Sequence, residues 1–111
     1  MKFSSLAVTL CALFVAPPVL AADIPQLQAL GADMGRAQRC GAVPAEVLLY
    51  SQLAKDLSET AGGEAAYQAF LAAGAAARER QPDNCQAVLT RFDAAMEELY
   101  KLNGRSPDQN D

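Results

Sequence analysis

Cys40 and Cys85 limit what this chain can fold into more than any other residues in it. A bond between them closes a loop of roughly 46 residues, worth about 4 kcal/mol in the chain-entropy model. Any fold must then bring two distant positions together. Whether the bond forms depends on the compartment, and the N-terminus bears on that. Met1-Lys2 is a short positive start, and an apolar run from about Leu6 to Val15 follows, interrupted by Thr9. Pro17-Pro18 break the run, and Val19-Leu20-Ala21-Ala22 offers small residues for cleavage. Residues 1–21 are therefore expected to be a cleavable signal peptide, cut after Ala21 or, alternatively, after Ala22. The third cysteine, Cys11, lies in the apolar run and would leave with it. The run is too short for a bilayer, which takes about 20 residues, so no membrane span is expected in the mature form. The expected location is the periplasm or the exterior, where the two remaining cysteines pair by default.

Removal of the signal leaves roughly 90 residues, enough for one domain with a modest core. The net charge of −4 becomes one unit more negative once Lys2 is gone. An acidic domain with no concentrated basic segment does not suit nucleic acid or an anionic membrane surface.

Four helical patterns follow, and together they predict a single all-α domain over 22–104. From about Ile24 to Arg39, the residues Ile24, Leu27, Leu30, Met34 and Ala37 recur at spacings of three and four and form one stripe. Gly31 and Gly35 weaken this helix by about 1 kcal/mol each relative to Ala, and their Gly-x-x-x-Gly step points to close packing inside the domain. Gly41 suits the stop. The second pattern, from Pro44 to about Glu59, has Val47, Tyr50, Ala54 and Leu57 as its stripe, widened by Leu49 and Leu53. Gly62-Gly63 break the chain. The third runs from about Glu64 to Arg80, with Tyr67, Phe70, Leu71, Gly74 and Ala77 on one face. In the fourth, Asp83 and Gln86 have the spacing of a capping box. Cys85, Val88, Phe92, Ala95, Leu99 and Leu102 then make a heptad-like seam that ends at Asn103-Gly104. Tyr100 is the aromatic expected to be most exposed, and residues 105–111 read as a polar, flexible tail.

Short connections make sequential helices antiparallel neighbours. The chain then runs up, down, up, down, and Cys40 and Cys85 arrive at the same pole. The expected fold is a small up-down-up-down four-helix bundle closed by the Cys40–Cys85 disulfide.

Reactive chemistry is thin. The chain has no His, so the commonest general base and transition-metal ligand are missing. A covalent c-type haem site is excluded with them. Two mature cysteines far apart form neither a zinc motif nor a Cys-x-x-Cys redox pair. Asp93, Glu97 and Glu98 on the fourth helix, and Asp56 and Glu59 on the second, fall off the apolar stripes and read as solvated. No catalytic residue, metal or cofactor is expected. The positive signal is arginine. Arg36, Arg39, Arg78 and Arg80 fall near the pole that bears the cysteines, with Arg91 within about two turns of it. Asp56, Glu59, Glu64, Glu97 and Glu98 favour the other pole. Cations at helix C-termini complement the helix dipole; the same five arginines could instead form a docking surface for an acidic partner.

The expected function is that of an exported, non-enzymatic helical protein, a periplasmic protein-binding or accessory factor acting on another envelope or secreted protein. Two alternatives remain open. The layout (signal peptide, about 90 helical residues, one long-range disulfide) is similar in architecture to the acid-stress periplasmic chaperones of the HdeA type, which implies a chaperone role. A small-ligand carrier or sensor would instead use an apolar pocket between the Ala- and Gly-rich first and third helices.

Overall fold

The computed structural model describes residues 22–104, in which four helices follow one another: α1 Ile24–Arg39, α2 Pro44–Ser58, α3 Glu64–Arg78 and α4 Cys85–Leu102. The predicted signal peptide, with Cys11, and the predicted tail lie outside the described residues. No helix among the described residues is long and apolar enough to cross a membrane.

Local chemistry sets the boundaries. The Asp23 carboxylate accepts from the Gln26 amide at 2.9 Å and caps α1, with Pro25 in the first turn. At the other end Gly41, at φ +88°, turns the chain back. The Ala42 amide then donates to the Ala37 carbonyl and the Gly41 amide to Gln38, the paired bonds of a Schellman stop. This fixes Cys40 as the residue immediately after α1. Helix α3 ends at Arg78, two residues short of the predicted end. Arg80 therefore belongs to the connection, where its amide still reaches back to the Ala77 carbonyl. The predicted Asp83–Gln86 capping box does not form. The cap is Asn84, whose side chain accepts from the Ala87 amide at 3.0 Å. Cys85 is the first helical residue, and the residue before it, in extended backbone at φ −139°, is the one placed to cap.

The helices alternate in direction as expected. Tyr50 meets Leu30 and Thr60 meets Ala22, so α1 and α2 are antiparallel. Tyr50 stacks near Phe70 while Lys55 lies over Tyr67, so α2 and α3 are antiparallel. Cys40 joins Cys85, Cα to Cα 5.3 Å, and Asp33 meets Arg91, so α1 and α4 are antiparallel too. The neighbours are less regular than the directions. Helix α1 makes its most extensive contact with the parallel α3, whereas α3 and α4, consecutive in the chain, touch least. Glycine is the cause. Gly31 lies against the Phe70 carbonyl and Gly35 against the Gly74 carbonyl, so a Cβ at either position would collide with backbone. The two helices meet main chain to main chain, and α1 becomes the hub of the bundle.

The core centres on three rings. Tyr50 stacks on Phe92 at 4.8 Å between centroids and on Phe70 at 6.2 Å. Leu27, Leu53, Leu57 and Leu99 fill the space around them. The Tyr50 hydroxyl donates to the Leu30 carbonyl at 2.8 Å, so its polar atom is satisfied inside the core. Two expectations fail at the edges. Tyr100 is buried, not exposed; it extends the line of Leu89 and Met96 along α4 at helical spacing. Ile24, given to the α1 stripe, is exposed at the first helical position. Asn103 closes the far pole: its amide donates to the carbonyls of Leu53 and Leu99, tying the end of α4 to α2.

Candidate functional site

The Schellman stop of α1, the end of α3 and the start of α4 bring their polar side chains to the pole that bears the disulfide. Arg36 and Arg39 stand in the last turn of α1 and Arg78 in the last turn of α3. They face the negative ends of their own helices, the favourable arrangement. Each also has a side-chain partner. Arg39 Nε donates to Gln81 Oε1 at 3.1 Å, and Arg78 Nη1 donates to Gln38 Oε1 at 2.8 Å. These bonds tie α1 to α3 and to the connection after it.

The organising residue is one that sequence reasoning missed. Asp33 is a buried acid, 6% exposed. Its carboxylate takes Arg36 Nη2 at 2.9 Å on Oδ1 and Arg91 Nε at 3.3 Å on Oδ2. Both guanidiniums remain about half exposed, at 44% and 59%. The carboxylate is shielded while the cations it holds stay in contact with water. The signal was present in the chain: Asp33 lies three residues after Leu30 and four before Ala37, on the apolar stripe itself.

The five arginines do not form one cluster. Arg36 is their common member. It borders a groove with Asp33 and Arg91 on the α4 side, and a second groove with Arg80, Gln81 and Asp83 where α3 gives way to α4. No side-chain hydrogen bond or ion pair within the described residues holds Arg80. Arg39 and Arg78 lie towards Gln81 and Gln38 instead. Gln38 in turn lines an open groove of about 470 Å³ with Ala42, Pro44, Val47, Leu48 and Ser51, between the end of α1 and the start of α2. This apolar groove was not foreseen, because its residues come from two helices and the turn between them.

Elsewhere the titratable groups are unremarkable in position. Asp56, Glu59, Asp93, Glu97 and Glu98 are exposed. Tyr50 lies in the core: burial, and then the nearby Asp33 carboxylate, pushes its hydroxyl well above the usual range. It is enclosed in the core and donates to a carbonyl, the setting of a structural tyrosine. The pole can hold carboxylates and other anions on preset guanidiniums. No family model matches this chain, and neither a curated protein nor a solved structure matches it.

Proposed function

We propose that this is an exported, non-enzymatic protein that binds an acidic envelope or secreted protein through its disulfide pole. One observation carries the reading. Arg36, Arg39, Arg78 and Arg80 lie towards one pole of a chain whose net charge is −4, with Arg91 further along α4, and Arg36 and Arg91 are held by the buried Asp33. Cations fixed before binding lose less freedom when a partner arrives. A molecule acidic overall but arginine-bearing at one pole orients an acidic partner as it approaches. The disulfide and the Schellman stop keep that pole rigid. A carrier would need an enclosed cavity between α1 and α3; Gly31 and Gly35 bring the backbones into contact there, and the groove beside them, lined by Ala32, Arg36, Ala73, Ala76 and Ala77, is open to solvent.

Affinity capture from an envelope extract tests the proposal, with the disulfide-bonded protein as bait beside its R36Q/R39Q/R78Q/R80Q variant. A partner retained by the wild type and lost by the variant is expected. Equal retention by both would end the docking role of this pole. Prevention of client aggregation only near pH 2–3 would favour the chaperone alternative.

A further inference from the structure

The apolar groove beside Gln38 has features that scattered surface leucines lack. Single exposed apolar residues are ordinary. Here one of the large ones, Leu48 at 60% exposed, lines a groove together with the apolar Ala42, Pro44 and Val47. Its floor is fixed. The Ala42 amide is bonded to the Ala37 carbonyl, Pro44 opens α2, and Ser51 donates to Met34 Sδ at 3.2 Å. A rigid apolar floor is what an anchoring side chain requires.

The charges nearest Gln38 at its rim are arginines. Arg78 is bonded to the groove-lining Gln38, which places a guanidinium at the rim. Arg39 is the next residue along, with its guanidinium bonded to Gln81. The acid nearest in sequence, Glu46, is two positions from both Pro44 and Leu48. Helical geometry carries it about 200° around α2 from them. Helix α3, which packs on α2 from this side, has Glu64 and Glu79 as its flanking acids. Glu64 lies at the far pole, beside Lys55 and Glu59, and Glu79 lines a groove with Ala32 and Arg36 instead.

We infer that this groove receives an acidic segment of the partner protein, an apolar side chain anchoring between Val47 and Leu48 and flanking carboxylates meeting Arg78 and Arg39. The inference rests on the protein-binding reading above and names its contact. A second copy of this acidic chain is the poorer occupant, since its own exposed apolar residues at this pole are flanked by arginine.

The test uses the intact, disulfide-bonded protein and a fluorescent synthetic helical peptide with two leucines one turn apart among glutamates. One control replaces the glutamates with lysine, the other the leucines with serine. Binding of the Leu/Glu peptide alone is expected, weakened about tenfold or more by Leu48→Ser and by Arg78→Gln. Amide shift changes should centre on Gln38, Ala42, Val47, Leu48 and Ser51. Both substituted side chains are exposed, and unchanged circular dichroism checks that the fold survives. Equal binding of the lysine peptide, or no effect of Leu48→Ser, would overturn the inference. So would a dimer of the protein alone that Leu48→Ser dissolves. If Arg36→Gln with Arg80→Gln, which leaves Arg91 on Asp33, abolishes capture of the envelope partner and Leu48→Ser leaves it unchanged, the protein-binding reading stands and this groove is not its site. If the peptide binds as described but no envelope partner depends on any arginine of the pole, the groove binds acidic segments and the broader reading fails.

Discussion

The Asp33 carboxylate on α1 holds the Arg91 guanidinium on α4, Oδ2 to Nε at 3.3 Å, across the same pair of helices that the disulfide joins. One link is covalent and at the pole; the other is ionic and further down the interface.

Removing either side of that ionic link should have unequal effects. Arg36→Gln or Arg91→Gln alone should cost less than about 1 kcal/mol, because each cation is half exposed and the other still serves Asp33. The double variant leaves a buried carboxylate without a cation and should cost about 2–3 kcal/mol, more than the sum of the singles. Asp33→Asn, which removes the charge, should cost about 1–2 kcal/mol. Urea unfolding of the four variants measures this. Additive losses would show that Asp33 is stabilised by something other than these two arginines.

Helix propensity and packing give opposite signs at Gly31 and Gly35. Alanine favours an isolated helix by about 1 kcal/mol. In the bundle the new methyl would strike the Phe70 or the Gly74 carbonyl, and such overpacking costs about 1–3 kcal/mol. Gly31→Ala and Gly35→Ala should lower the melting midpoint. Gly74→Ala should be milder, since its Cβ would meet the Gly31 carbonyl at 3.1 Å and the movable end of Met34 at 3.3 Å. A stabilised Gly31→Ala variant would mean that α1 and α3 stand further apart.

Reduction of Cys40–Cys85 should destabilise the domain by about 4 kcal/mol in the chain-entropy model, a large part of the roughly 5–15 kcal/mol typical of a domain. Thermal unfolding with and without reductant reads this directly. An unmoved midpoint would mean that α1 is held by packing alone.

Tyr50 predicts an alkaline limit. Its ordinary value is 10.0, and burial raises it in the folded state. Above pH 10 the unfolded chain loses that proton while the folded chain keeps it, so stability falls as pH rises. It is fully present below pH 10, and the loss reaches at most about 1.4 kcal/mol per pH unit from this group. Tyr50→Phe should remove that part of the slope and cost about 1 kcal/mol at neutral pH for the bond to Leu30. Parallel pH profiles for the two proteins would show that Tyr50 ionises as freely in the fold as out of it.

Helix positions and directions were legible in the chain because three- and four-residue periodicity marks them without reference to neighbours. The glycine step in α1 also signalled close packing. Its partner was not legible: Gly74 has no feature that assigns it to Gly35, and short connections argued for chain neighbours over α1 against α3. Asp33 and Tyr100 both stood at stripe spacing. Polarity concealed the first, and the second lay on the wider Leu89–Met96 line beside the main seam. The cap of α4 went to Asn84 rather than Asp83 because the helix starts at the disulfide cysteine. The arginines were found as a group by position alone. Their division between Asp33, Gln38 and Gln81 depends on side-chain geometry that no spacing rule contains.

The most direct test of docking at the disulfide pole is hydrogen exchange on the protein alone and in complex with its captured envelope partner. New protection should fall on the end of α1, the 40–48 segment and the start of α4, with the turn at Thr60–Gly63 unchanged. Protection confined to that turn, at the acidic pole, would contradict it.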